Sequence, residues 1–155
     1  MQKAEFVQCV RNCERRLYRI AYTMLRNNAD CEDAVQEALL KAWNKLNSLR
    51  EERYFETWLI RILINECRNI WRRRRDRETE LTDQIAAPDD GENLLYPALM
   101  GMKSTYRTAM ELHYIEGYKL KEIAHMLSVP ETTVKWRLSK GRSELKKQLG
   151  EEALL

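Results

Sequence analysis

The chain has 155 residues, of which 44% are hydrophobic and 33% charged, with a formal net charge of +3. That length serves one medium or two small domains with a packed core. A charge so near balance excludes a nonspecific polycation, so any nucleic-acid contact has to come from local basic clusters. No run approaches the roughly 20 apolar residues of a membrane span. The opening run MQKAEFVQCV lacks the apolar segment of a signal peptide. A cytoplasmic protein without membrane insertion is therefore expected.

Phe6, Val10, Cys13, Leu17, Ile20 and Met24 recur at three- and four-residue steps. This periodicity predicts a helix from about Glu5 to Arg26, ended by Asn27 and Asn28. Asp30 sits at a good N-cap position, with Asp33 three residues on, as in a capping box. A second helix then turns Ala34, Val35, Ala38, Leu39, Ala42, Trp43 and Leu46 inward. Its opposite face shows Asp33, Gln36, Glu37 and Lys41. Residues 47–54 are polar and aperiodic and read as a loop. A third helix, from about Phe55 to Arg74, sets Trp58, Leu59, Ile62, Leu63, Ile70 and Trp71 against Arg61, Asn65, Arg68 and Asn69. It ends in the run Arg72 to Arg75. Residues 76–93, DRETELTDQIAAPDDGEN, are acidic, poor in large apolar side chains, and read as a linker. Helical patterning resumes at Leu94 or Leu95, and a helix from about Thr105 to Tyr114 stops before Gly117.

The last third carries the most specific pattern, YKLKEIAHMLSVPETTVKWRLSKGRSELKK. Ile123, Ala124 and Leu127 share one face of a short helix, with the small Ala124 where a second helix can cross closely. Ser128, Val129 and Pro130 break the periodicity. Pro130 suits a helix start, and Glu131 favours its positive end. Val134, Leu138 and Leu145 give the next helix an inward stripe. Thr132, Thr133, Lys135, Trp136, Arg137, Ser139, Lys140 and Arg142 are left for other faces. This is helix-turn-helix grammar, whose second helix enters a DNA major groove. The plainer alternative is two packed helices with a solvated basic face.

The four cysteines, Cys9, Cys13, Cys31 and Cys67, show no paired CxxC, and His113 and His125 lie far from them. Small buried thiols account for them better than a metal site. No phosphate-binding glycine loop, no HExxH and no set of nucleophile, base and acid at workable spacing is present. No metal, cofactor or catalytic residue is expected, and the chain reads as a non-enzyme.

The run NADCEDAVQEALLKAW, followed by FETWLIRILINECRN and RRRR, resembles region 2 of bacterial sigma factors. The run from Tyr114 to Lys147 resembles region 4. Two such modules with a short linker look like the extracytoplasmic-function (ECF) subfamily of the sigma-70 family. The resemblance implies an all-α fold of two small domains joined by a flexible linker: a region 2 bundle over 1–76, a linker over 77–93, and a region 4 helix-turn-helix over 94–150.

It also implies roles. Asp33, Gln36 and Glu37 match the segment that grips a coiled coil of the largest subunit of RNA polymerase core. Phe55, Trp58 and Arg61 match the segment where the minus-ten element of the promoter is opened. Trp58 sits on the apolar stripe, which favours the core over base stacking. The loop 47–54 precedes it, where the subfamily captures a flipped base. Arg61, Asn65, Arg68 and Asn69 would face the minus-ten element, with Arg72, Arg73 and the rest of the arginine run on backbone phosphate. Thr132, Thr133, Lys135, Trp136, Arg137, Ser139, Lys140 and Arg142 would face the minus-thirty-five element, although Arg137 can instead pack its stem inside. The implied partners are polymerase core, promoter DNA and an anti-sigma factor. Two departures stand out. The entry to region 4 reads LMGMKSTYR, with Arg107 but no proline, so helix entry there can be looser. Ser128 stands where glycine is frequent. The competing reading is a stand-alone helix-turn-helix regulator of duplex DNA. A helical protein-binding module is a third.

Overall fold

A computed structural model describes residues 1–76 and 95–150. The chain divides into two compact units, Met1–Pro88 and Asp89–Leu155. The linker expected over 77–93 lies outside the described residues, which are helices, turns and short connections without a strand.

The first unit is a three-helix bundle of α1 (Lys3–Leu25), α2 (Asn28–Asn44) and α3 (Phe55–Asp76). Its core takes Leu17 and Ile20 from the predicted α1 stripe, Ala34, Val35 and Ala38 from that of α2 and Leu59 and Leu63 from that of α3, and adds Leu25 and Ile64, all buried. The small α2 stripe lets its backbone approach the larger α3 side chains. Cys13, Cys31 and Cys67 are buried and all four cysteines are free thiols. Ion pairs pin α3 to its neighbours, among them Arg16 with Glu56 and Lys41 Nζ with Glu66 Oε2 at 2.5 Å. The hydrogen bond to largely buried Glu66 raises the Lys41 pKa.

Three sequence expectations are corrected here. At the α1–α2 turn Arg26 takes a left-handed conformation (φ 50°). Asn27, not Asp30, is the N-cap, accepting the Asp30 N–H on its Oδ1 at 2.9 Å. An amide oxygen three residues before that N–H meets the cap geometry, while Asp30 serves the first turn through its charge. Trp43 and Trp71, expected to point inward, are 42% and 41% exposed. Trp43 lies on the rim, edge-on to Phe6 at 5.1 Å, because the small α2 stripe leaves no room for an indole inside. The 47–54 segment is not featureless. It holds two short 3₁₀ turns, Leu46–Ser48 and Glu52–Tyr54.

The second unit is built from α4 (Leu95–Met100), α5 (Ser104–Met110), α6 (Leu120–Leu127) and α7 (Glu131–Leu149). Leu99, Met110, Leu112, Ile123, Met126 and Val134 fill its core. α5 does not stop at Met110. It runs into a five-residue π-helical turn, Glu111–Ile115, where the Glu116 N–H reaches back to the Glu111 carbonyl at 3.0 Å. Gly117 follows at φ 83°. Arg107, the retained family residue, is buried and donates to the Met102 carbonyl at 2.7 Å, tying down the segment that enters α5.

α6 and α7 make the expected helix-turn-helix. Ser128 closes α6 in the left-handed region (φ 58°), which costs a non-glycine residue about 1 kcal/mol. The Val129 N–H bonds the Ala124 carbonyl at 3.0 Å, satisfying an end carbonyl of α6. Pro130 precedes the first helical residue of α7 with φ −67° and lends its carbonyl to the Thr133 and Val134 N–H groups. The α7 stripe of Val134, Leu138, Gly141 and Leu145 faces inward.

Candidate functional site

Three surfaces gather the residues singled out from the sequence. On α2, Asp33, Gln36 and Glu37 are all exposed. Leu40, one turn further on the same face, is 59% exposed. These four line a shallow groove whose opposite wall comes from α3: Glu66 (paired with Lys41), Asn69 and Arg73. Residues expected to serve different partners are therefore brought together. The groove has an α2 lip of acids, Gln36 and the apolar Leu40, facing a mixed α3 wall on which Arg73 stands beside Asn69, Ile70 and Glu66. Leu40 was missed in the sequence. Its spacing of three and four residues from Glu37 and Gln36 was the available signal.

The second surface is the polar side of α3. Arg61, Asn65, Arg68, Asn69 and Arg72 follow one another at helical spacing, with Asn65 and Arg72 exposed and the others half-buried. Arg72 Nη1 donates to Asn69 Oδ1 at 3.2 Å. The arginine run is not uniform. Arg72 and Arg73 are exposed, and Arg75 lies 4.8 Å over the Trp71 ring. Arg74 instead turns into the bundle, where its Nη1 reaches the Leu25 carbonyl at 2.9 Å and Asp30 Oδ2 at 2.6 Å. It caps the C-terminal end of α1 and neutralises the acid in the first turn of α2, and so leaves the set of phosphate candidates. At the N-terminal end of α3, Trp58 is half-buried, tilted against Phe55 at 5.9 Å. The adjoining 3₁₀ turn exposes Tyr54, with Arg53 4.8 Å over its ring.

The third surface is α7. Thr132, Lys135, Trp136, Ser139, Lys140 and Arg142 are exposed, and Thr133 and Arg137 half-buried. Trp136, 53% exposed, is set edge-on to Tyr106 at 5.8 Å with Lys140 Nζ 5.7 Å over its ring. The indole thus stands out from α7 with a cation beside it. Arg137 is partly desolvated, which lowers its pKa, and it lies off the outward row. Arg142 Nη1 donates to the Tyr114 hydroxyl at 2.9 Å. Among the described residues no group of three His, Cys, Asp or Glu could hold a metal ion, and no helix is long and apolar enough to cross a membrane.

A helical bundle with a grooved acidic face, together with a helix-turn-helix whose second helix is edged with cations, defines a DNA-binding transcription protein. Residues 9–77 match Sigma-70 region 2 and residues 93–145 match Sigma-70, region 4. The chain is 33% identical to the ECF RNA polymerase sigma factor SigW of Bacillus subtilis, over 86% of this chain and 83% of that protein. It is 31% identical to the ECF sigma factor SigM of Mycobacterium tuberculosis, over 94% and 77%. Among solved structures, it resembles the sigma factor RpoE of Bartonella quintana, seen in complex with the anti-sigma factor NepR. The TM-score is 0.80 at 26% identity, covering 94% of this chain and 96% of that one. A second likeness, to CnrH in complex with the cytosolic domain of CnrY, has a TM-score of 0.71 at 26% identity and covers 96% and 89%.

The chain belongs to the ECF sigma factors of the sigma-70 family. The sigma factors are a family of regulatory proteins rather than enzymes, and this chain directs RNA polymerase to initiate transcription at promoter DNA.

Proposed function

We propose that the three surfaces divide the work of a sigma factor. The region 2 module, 1–76, docks on polymerase core through Asp33, Gln36, Glu37 and Leu40. Its α3 row of Arg61, Asn65, Arg68, Asn69, Arg72 and Arg73 tracks the minus-ten strand. The 47–54 segment, with Tyr54 exposed beside Arg53, takes part in holding an unstacked base, which aromatic faces and cations do well. The linker spans 77–93. The region 4 module, 94–150, faces the minus-thirty-five element with Thr132, Thr133, Lys135, Trp136, Ser139, Lys140 and Arg142. An anti-sigma factor would restrain the protein in the cytoplasm, as the complexed relatives suggest. Arg137 packs rather than reads.

The observation that carries this reading is the division on the bundle itself. Acids and Leu40 line one lip of the α2–α3 groove, while the amides and guanidinium groups of α3 continue along that helix. A regulator of duplex DNA alone has no use for the first lip. The test is reconstitution with core polymerase and selection of promoters from a random library by run-off transcription. Replacing 47–54 by a Gly/Ser segment of equal length should spare polymerase binding but abolish permanganate reactivity of promoter thymines. A premelted template should restore transcription. Melting that survives the exchange would move strand capture to the Trp58–Arg61 turn.

A further inference from the structure

The later turns of α7 hold a polar site that base reading does not use. Ser139, Arg142, Ser143 and Lys146 line a concave patch on the helix surface. Their spacing puts them on adjoining turns of one side, next to the buried stripe. Two are hydroxyl donors and two are cations, and no carboxylate lines the patch. Glu144, the nearest acid in sequence, leans away to Lys147 at 3.5 Å. Such a donor set complements a phosphodiester, whose two anionic oxygens only accept hydrogen bonds.

One member is already oriented. The Tyr114 hydroxyl takes one Arg142 donor at 2.9 Å and leaves the rest of the guanidinium fork free to point outward. Tyr114 lies on the π-helical turn, whose extra residue per turn re-aims the side chains it carries, a feature frequent at functional sites. A recognition helix reads bases with its first residues. Residues two to four turns later pass over the strand that borders the groove.

We propose that Ser139, Arg142, Ser143 and Lys146 form a seat for one backbone phosphate beside the minus-thirty-five element, and that Tyr114 is a positioning residue acting through Arg142. The proposal rests on α7 being the minus-thirty-five reader. It adds Ser143, Lys146 and Tyr114 to that surface. It also takes Arg142 out of base recognition, because a guanidinium committed to phosphate carries no sequence information.

The test uses holoenzyme reconstituted from the full chain and core polymerase, with promoter duplexes carrying a single neutral methylphosphonate scanned across the minus-thirty-five flank. Wild type should lose about tenfold in affinity at one or two adjacent positions, the size of one charge-assisted contact. Ser143→Ala with Lys146→Gln should lose a similar factor on unmodified DNA and then lose less than wild type at those positions, where Ser139 and Arg142 remain. The salt slope should fall by about one, with base preference unchanged. Tyr114→Phe should lose a smaller factor, and none in an Arg142→Ala background. Losses that add at every methylphosphonate position, or a changed base preference in the double variant, would overturn the seat. A wild-type holoenzyme that shows no minus-thirty-five preference yet keeps the methylphosphonate coupling would sink the reader assignment and leave the seat standing.

Discussion

Gly141 of α7 packs so tightly on Met110 of α5 that a Cβ at position 141 would stand 2.5 Å from Met110 Cγ and 2.7 Å from its Sδ. Glycine inside a helix gives up roughly 1 kcal/mol of propensity relative to alanine. Here that loss is what lets the two helices meet. Gly141→Val should destabilise the region 4 unit by about 1–3 kcal/mol through overpacking. Gly141→Ala should fall between wild type and valine, since its gain in propensity offsets part of the clash. Urea unfolding of the full chain, followed by helical circular dichroism, ranks the three. Equal midpoints would show that Met110 moves aside freely.

Arg74 is the structural member of its run. Arg74→Ala removes charge-assisted hydrogen bonds to Asp30 and to the Leu25 carbonyl, worth about 1.5–3 kcal/mol at a largely buried site. Arg73→Ala, one residue away and exposed, should change stability by no more than about 0.5 kcal/mol while lowering promoter affinity. The two variants therefore separate a folding defect from a binding defect. Thermal melts and promoter binding, measured on both, should move in opposite order.

The α2 lip makes its own demand. Reversing charge at Asp33 and Glu37, or changing Leu40→Asp, should leave helical content and melting nearly unchanged, because all three side chains are exposed. Affinity for core polymerase should fall tenfold or more, about 1.4 kcal/mol or above, in competition against the wild-type chain. The charge reversals should also flatten the salt dependence, and Leu40→Asp should not. Undiminished binding in both would remove the groove from the polymerase interface.

Burial lifts the Cys13 thiol from 9.0 to about 11, and Cys67 is raised as well for the same reason. Between pH 9.0 and about 11 the unfolded chain gives up the Cys13 proton before the folded chain does. Stability is therefore unaffected below that window and declines as pH rises through it. Urea midpoints taken from pH 8 to about 11 should show the decline, and Cys13→Ala should make it shallower. At mild pH a thiol reagent should modify half-buried Cys9 first, leaving the three buried thiols for the unfolded chain.

The sequence was most readable where one helical period ran long. The stripes Leu17–Ile20, Val35–Ala38, Leu59–Leu63 and Val134–Leu138 all reach the core, and Pro130 starts α7 as a fixed-φ residue should. Periodicity gives a face but not its depth. That is why Trp43 and Trp71, at the edges of their stripes, share the period of the core yet stand exposed. The Asn27 cap was obscured because Asp30 suits the same role by residue type, and only backbone angles decide between them. Arg74 is chemically identical to its neighbours, so its separate duty depends on where the α1–α2 turn happens to lie. The Met110 contact joins residues far apart in sequence and leaves no local mark. For the candidate site, exposed acids, amides and cations were legible residue by residue. Their sharing of a groove, as Glu37 does with Arg73, was not.

The repetition of arginine at 72–75 has a consequence for tolerance to change in chain length. Loss of any single arginine from the run still leaves arginines at positions 72, 73 and 74, so the position facing Asp30 remains filled. What changes is the next position, where the present Asp76 would slide in to stand beside Trp71 in place of Arg75. Gain of one arginine likewise keeps the clamp and lengthens only the outer end. A homopolymeric run thus makes the one buried arginine insensitive to a slip in register and passes the whole effect to the solvent-facing cations. The architecture of the bundle is insured, and the number of exposed cations beyond it is left free to vary.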